Sequence, residues 1–465
     1  MSTPSPSRDE PVPETARATS APPGPALAAR YGLLGLPLAF VALPVYVHLP
    51  NHYAQVHGLA LGALGAVLLL SRGIDAVVDP WLGQLGDRLY RHSWGAVFLA
   101  AWLLALGVAA GFAGLFFPPG WAIDSGLLLW AAAMLTLSHL AYSGLMLLHQ
   151  AWAARQGGGG QAQSRWIAWR EGLALVGVLL ASALPSLAGW GATTAVLAVL
   201  LALGLWTWHS AQRAHRGDGR AALALTATSS HDARRHTPSS RGAQRRGDLW
   251  LPWREPAFRR LLAVFVLNGL ASAIPATLVL FFVQDRLQAP KTLEPLFLGL
   301  YFAAGALSFP LWLRVIARLG LVRSWLWGMG LSVLAFGGVL TLGAGDTAAF
   351  LLICALSGLA LGADLTVPAA LLNQLIDERG HRARHEGAFM GWWNLATKLN
   401  LALAAGLALP LLGLWGYAPG VQSSQALWAL SLAYGLMPCA FKLAAAALAW
   451  RLLPRHHTLA RPAGA

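Results

Sequence analysis

Residues 72–91 read Arg72-Gly-Ile-Asp75-Ala-Val-Val-Asp79-Pro80-Trp-Leu-Gly83-Gln-Leu-Gly-Asp87-Arg88-Leu-Tyr-Arg91, and they continue an apolar run that begins near residue 58. The spacings of three and four stack Arg72, Asp75 and Asp79 on one face of a helix, with neighbouring Cβ atoms about 5 to 6 Å apart. A charge inside a membrane span costs from ~2.5 to more than 10 kcal/mol, so a cluster of them marks an ion or solute path. If the surrounding run crosses a bilayer, this stretch decides the fold.

The composition is that of a membrane protein. Of 465 residues, 56% are hydrophobic and 11% charged, whereas a soluble globular chain carries roughly 25% charged residues. Twelve apolar segments are long enough to cross, near 31–53, 58–80, 95–117, 125–153, 166–189, 191–210, 258–283, 293–315, 322–344, 347–374, 386–412 and 425–450. Each approaches or exceeds the ~20 residues that a helical span needs. The expectation is an all-α membrane protein of twelve transmembrane helices in two six-helix halves, 29–210 and 257–452. Residues 1–28, rich in Pro, Ser, Thr and Ala, and residues 453–465 read as cytoplasmic tails, the first disordered. Residues 211–256 read as a basic, mostly disordered cytoplasmic linker.

A net charge of +14 would suit a nucleic-acid binder, but its distribution follows the positive-inside rule instead. Of 33 Lys and Arg, the outer loops hold Arg286 and Lys291, and Arg72, Lys398 and Lys442 lie within spans. The other 28 fall on tails, even-numbered connections and their helix ends. Both termini are therefore expected on the cytoplasmic side of a cell (inner) membrane, with lipids as partners, no nucleic acid and a monomeric state. No basic region directly precedes a short apolar core with a cleavage site, so no removable signal peptide is expected. Cys354 and Cys439 lie in different spans, and neither a disulfide nor a metal site is expected.

Gly83-x-x-x-Asp87-Arg88 resembles the loop motif of the major facilitator superfamily, in which glycine lets helices approach and acid and base pair across the gate. Preceded by Asp75-Ala-Val-Val-Asp79-Pro80, it resembles the melibiose-permease-like glycoside-pentoside-hexuronide:cation symporters. Asp377-Glu-Arg-Gly-His-Arg-Ala-Arg-His-Glu386-Gly387-Ala-Phe-Met-Gly391-Trp392-Trp393-Asn394-Leu-Ala-Thr397-Lys398, Tyr31-Gly32, Arg170-Glu171-Gly172 and Gly413-Leu-Trp-Gly416-Tyr417 fit the same pattern. The resemblance implies a secondary transporter with a small-molecule substrate, not an enzyme, whose halves rock about a central site. It places the coupling-cation site at Asp75, Asp79, Thr136 and Lys398, with Arg72 balancing charge.

Independently of any family, two carboxylates one turn apart in low dielectric repel, so one takes up a proton or both share a cation. The alternative is a structural ion-pair cluster that only holds helices together. Val78 stands where sodium-using members often carry Asn. Sodium needs several oxygens and a proton needs one carboxylate, so the expected coupling ion, H+ or Na+, leans to the proton; no cofactor is expected.

The sugar-binding acids of the melibiose-permease branch become Ala39 and His139 here, beside Arg170, which suits a neutral or anionic solute better than a galactoside. Arg170 also reads as a positive-inside anchor, and His139 as a polar residue bonded between helices. Asp364 lies in an apolar span near Pro368 and reads as a substrate or proton-relay residue. Trp393, Asn394 and Thr397 share the approach to Lys398 and complete the expected substrate set. An exporter or lipid flippase on the same fold stays open. A polytopic enzyme fits less well, because the acids lie within spans and the one long loop is low in complexity.

Overall fold

The computed structural model describes residues 24–156, 159–227, 250–379 and 386–453, and among these every regular element is helical. Ten helices are each one apolar crossing: α1 (Pro25–His57), α2 (Leu61–His92), α3 (Trp94–Phe116), α4 (Leu127–Arg155), α7 (Pro256–Arg286), α8 (Lys291–Leu319), α9 (Leu321–Thr341), α10 (Thr347–Glu378), α11 (Ala388–Leu414) and α12 (Ser424–Leu452). Between α4 and α7 lies a helical stretch, Arg165–Ala214, of 50 residues. At 1.5 Å per residue it would be about 75 Å long, more than twice a ~30 Å hydrocarbon core. Gly189 resolves the excess: its φ of 75° and ψ of 175° break the helix and turn the chain back. The stretch is thus two spans, α5 (165–188) and α6 (190–214), and the described residues hold twelve in all.

Local chemistry sets the other ends. Gly58, at φ 67°, closes α1 in the left-handed conformation, and Ser93 caps α3 by accepting from the Ala96 N–H at 3.1 Å. Leu129, Leu307 and Leu334 are more than 70% exposed, an outer surface that hydrocarbon solvates and water does not. Inside, small residues let backbones close up. A Cβ on Gly177 of α5 would sit 2.1 Å from the Leu36 carbonyl oxygen of α1, so only glycine fits there.

Helices α1–α6 form one half and α7–α12 the other. They meet along α2–α11, α5–α8 and α1–α7. Because the number of crossings is even, both described chain ends lie on one face, called here the termini face.

Several boundaries differ from those read in the sequence. Helix α1 starts inside the expected 1–28 tail, because Pro25 is well suited to a first helical turn. The helical backbone after α6 runs on to Ala227, into the expected 211–256 linker. Most of the expected tails and the centre of that linker (1–23, 228–249 and 454–465) lie outside the described residues. The Gly83–Arg91 motif is no loop either, since α2 continues through it to His92.

Candidate functional site

Asp75 is fully buried on α2, and three donors meet it. Its Oδ2 accepts from Arg72 Nη1 at 3.1 Å and lies 3.2 Å from Lys398 Nζ. Its Oδ1 accepts from the Ser143 hydroxyl of α4 at 2.6 Å. One turn further, Asp79 Oδ2 accepts from Lys398 Nζ. Lys398 also donates to Ser143 at 2.9 Å. A lysine from one half therefore bridges two carboxylates of the other, and Arg72 brings the cluster to neutrality.

The π-helical turn Pro44–His48 in α1 supplies the remaining wall. It brings the Tyr46 ring beneath the Arg72 guanidinium, 4.6 Å from centroid to Cζ, a cation–π contact.

Beside this cluster lies a cavity of about 250 Å³ between α1, α2, α4 and α11. Tyr46, Asp79, His139, Asn394, Thr397 and Lys398 are among its walls. Four wall residues carry buried polar atoms without a hydrogen-bond partner: Asp79 Oδ1, Arg72 Nε, Ser138 Oγ and both ring nitrogens of His139. Buried polar groups are satisfied as a rule, so this concentration in one cavity marks a place built to receive a polar solute.

The other expected residues fall elsewhere. Thr136 donates its hydroxyl to the Ala132 carbonyl at 2.7 Å, one turn back on its own helix, and does not join the ion cluster. Ser143, seven residues on, holds that position. Arg170 pairs with Glu171 at 2.5 Å and is not in the cavity wall. Trp393 stacks on Phe265 with centroids 3.8 Å apart, as a core residue of its own half. Val78 is also absent from the wall. Asp364 belongs to a second cluster inside the C-terminal half, with Lys442 at 2.5 Å.

In the motif at the end of α2, Asp87 pairs with Arg155 of α4 at 2.5 Å, within one half rather than across a gate. Arg88 is exposed. A Cβ on Gly83 would meet nothing within 4 Å, whereas one on Gly86 would lie 3.3 Å from Leu148. The close approach is at Gly86. Ser143 and Tyr142, the latter also in the cavity wall, were missed in the sequence, although Ser143 follows His139 by four residues and shares its helix face.

Among the described residues, hydrogen bonds between the halves occur at two levels. One is the Lys398 cluster. The other lies at the face opposite the termini, where Asn51 and Gln55 of α1 donate to Gln284 at 3.0 and 2.6 Å, and Ser186 of α5 donates to Glu294 of α8 at 3.2 Å. That face is held shut. The cavity wall continues through Met146 and Gln150 of α4 and Asn394 of α11 towards the termini face.

The profile of the MFS/sugar transport protein family matches residues 30–454. The chain belongs to that family. This transporter is also 39% identical over 75 residues to YagG of Escherichia coli (strain K12), a protein named as a glycoside/cation symporter; the match covers 14% of the transporter and 16% of that relative. Among solved structures it is similar to the nucleoside transporter NupG (TM-score 0.62, 14% identity, 93% of this chain and 99% of that one). A bacterial homologue of the human lysosomal transporter Spinster, inward-facing and unoccupied, gives a TM-score of 0.60 at 11% identity over 92% and 95% of the two chains. A bacterial homologue of the iron transporter ferroportin, also inward-facing, gives 0.56 at 18% identity over 90% and 97%. At such identities these likenesses show the fold. Family and fold together make the chain a multi-pass membrane transporter of a small molecule, not an enzyme.

Proposed function

We propose that this transporter couples proton movement to symport of a small polar solute, sugar-like or an organic acid, by alternating access in a cell membrane with both termini cytoplasmic. One observation carries the reading. Lys398, from the C-terminal half, is held by Asp75 and Asp79 of the N-terminal half at the wall of a cavity into which Asp79 Oδ1 points unpartnered. A proton arriving on Asp79 removes one of the two counter-charges of Lys398 and loosens a tie between the halves. Lys398 keeps Asp75, so the loss is smaller than the roughly 3–5 kcal/mol of leaving a buried charge wholly unpaired. A membrane potential supplies ~2.3 kcal/mol per charge per 100 mV, and each pH unit adds about 1.4 kcal/mol. The driving force therefore reaches the scale of the tie, as a coupled cycle requires.

Sodium fits less well. Both oxygens of Asp75 are already engaged, the Thr136 hydroxyl is spent on its own helix, and Val78 offers no oxygen. The name of YagG, a glycoside/cation symporter, agrees with a cation-coupled cycle and a sugar-like solute. The cavity, at about 250 Å³, is just below the usual range of ligand pockets, roughly 300 to 1,000 Å³, which suits a solute of a single ring or smaller. A thermal-shift screen of the purified protein against sugars, glycosides, uronates and other organic acids identifies it. Uptake into proteoliposomes under a pH gradient, and separately under a sodium gradient, then tests the coupling. Accumulation driven by sodium alone would refute the proton reading.

A further inference from the structure

A second, larger cavity of about 530 Å³ opens at the termini end of the C-terminal half, between the ends of α7, α8, α9, α10 and α12. Its walls carry four arginines, Arg260, Arg323, Arg379 and Arg451, against a single acid, Glu378. Glu378 already accepts from Gln374 at 2.6 Å, and Arg379 reaches Glu255 at 3.6 Å. Arg260 and Arg451 make no ion pair among the described residues. Among the described wall residues, four arginines therefore stand against one glutamate, and Arg260 and Arg451 carry the unpaired charge.

The matching corner of the N-terminal half is built differently. There Asp87 neutralises Arg155 directly, and Arg155 lies over the Tyr90 ring at 4.1 Å. That arginine is paired, whereas the arginines of the other half surround an open space.

We infer that this cavity is a binding site for a phosphate-bearing anion. Guanidinium groups present planar, paired donors that match phosphate oxygens, and several around one cavity lower the repulsion among themselves by sharing an anion. The site also lies at helix ends, at the depth of lipid headgroups, and basic pockets between spans at that depth suit phospholipid. Below the arginines the wall is apolar, with Leu261, Leu371 and Leu375, so a phosphate attached to an apolar body finds both of its parts accommodated. A free phosphate would use the arginines alone. The site is separate from the midplane cluster and does not depend on the coupling reading.

The test uses the purified full-length protein in neutral detergent, with thermal midpoint as the readout. The probes are phosphatidylglycerol, phosphatidylcholine, and inorganic phosphate against chloride at equal ionic strength. Phosphatidylglycerol is expected to stabilise at concentrations where phosphatidylcholine does not. The double variant Arg260→Gln/Arg451→Gln is expected to need roughly ten-fold or more of the probe for the same shift, since each charge-assisted bond contributes up to a few kcal/mol. Stabilisation by inorganic phosphate alone, lost in the same variant, would support the site with a free anion as its ligand. If the double variant does not fold, Arg260→Lys/Arg451→Lys keeps charge but removes paired donation and should weaken the response several-fold. Equal responses in wild type and the variants that fold, or equal stabilisation by the neutral lipid, would overturn the inference.

Discussion

Two buried acid–lysine clusters sit at similar depth in this transporter, and they are built to opposite ends. In the C-terminal half, Asp364 is saturated. Its Oδ1 accepts from Asn268 Nδ2 at 3.0 Å and Trp325 Nε1 at 3.1 Å, and its Oδ2 from Lys442 at 2.5 Å and Ser272 at 3.3 Å. All of these partners belong to the same half. Both acids line a cavity, but between the halves Asp79 keeps one oxygen unpartnered and takes its lysine from the opposite half. The first arrangement fixes four helices together. The second ties helices of opposite halves and leaves an acceptor open at the cavity wall, the difference on which the proposed coupling rests.

The sharpest way to break the comparison is Asp79→Asn. Gradient-driven accumulation should fall to the level without a gradient, while solute exchange at equilibrium survives; accumulation close to that of the unsubstituted transporter would remove Asp79 from the coupling path. Next in size is Asp364→Asn, which leaves Lys442 unpaired in the core and should cost about 3–5 kcal/mol of stability, read as a lower thermal midpoint. The double change Asp364→Leu/Lys442→Met should recover most of that loss and leave coupled uptake within about two-fold of its original rate by the same reasoning. The parallel pair Asp79→Leu/Lys398→Met should fold and fail to accumulate. If both double variants transport equally well, the two clusters do not differ in role.

A smaller effect separates the two hydroxyls of α4. Ser143→Ala removes a charge-assisted donor to Asp75 and an acceptor for Lys398, and should lower coupled uptake roughly ten-fold. Thr136→Ala loses only a bond to its own backbone and should change uptake by less than about two-fold. The reverse order would restore the arrangement that family resemblance implied.

That contrast shows how far the sequence could be read. Twelve spans were legible because a bilayer imposes length and hydrophobicity on each helix regardless of its neighbours, and Gly189 divides Arg165–Ala214 where two apolar runs adjoin. Asp75, Asp79 and Lys398 were legible because charge in an apolar span is costly and so is rarely incidental. Trp393, Arg170 and Thr136 were misplaced for a common reason. Which way a side chain turns on a helix, and whether its polar atom is taken by its own backbone or a neighbour, depends on rotation and packing that spacing does not encode. Lys442 illustrates the same limit from the other side: its pairing with Asp364, 78 residues away in the chain, is not encoded in spacing.

The far face offers the finest distinction between bonds that join the halves and bonds that lie within one. Gln284→Ala removes two donors' shared acceptor across the interface, from Asn51 and Gln55. At a partly solvated site each such bond is worth about 0.5 kcal/mol, so the population open at that face should rise roughly five-fold. Maleimide labelling of Ala54→Cys, a position at that end of α1 that is buried while the face is shut, reads this directly, and the buried native Cys354 and Cys439 give little background. Tyr417→Phe is the control, since Tyr417 donates to Asp285 at 2.5 Å within the C-terminal half. It should lower the thermal midpoint without changing the labelling rate. If Tyr417→Phe opens that face as readily as Gln284→Ala does, the bonds between halves have no special hold on the alternation, and the distinction between the Asp79 and Asp364 clusters would rest on the unpartnered Asp79 oxygen alone.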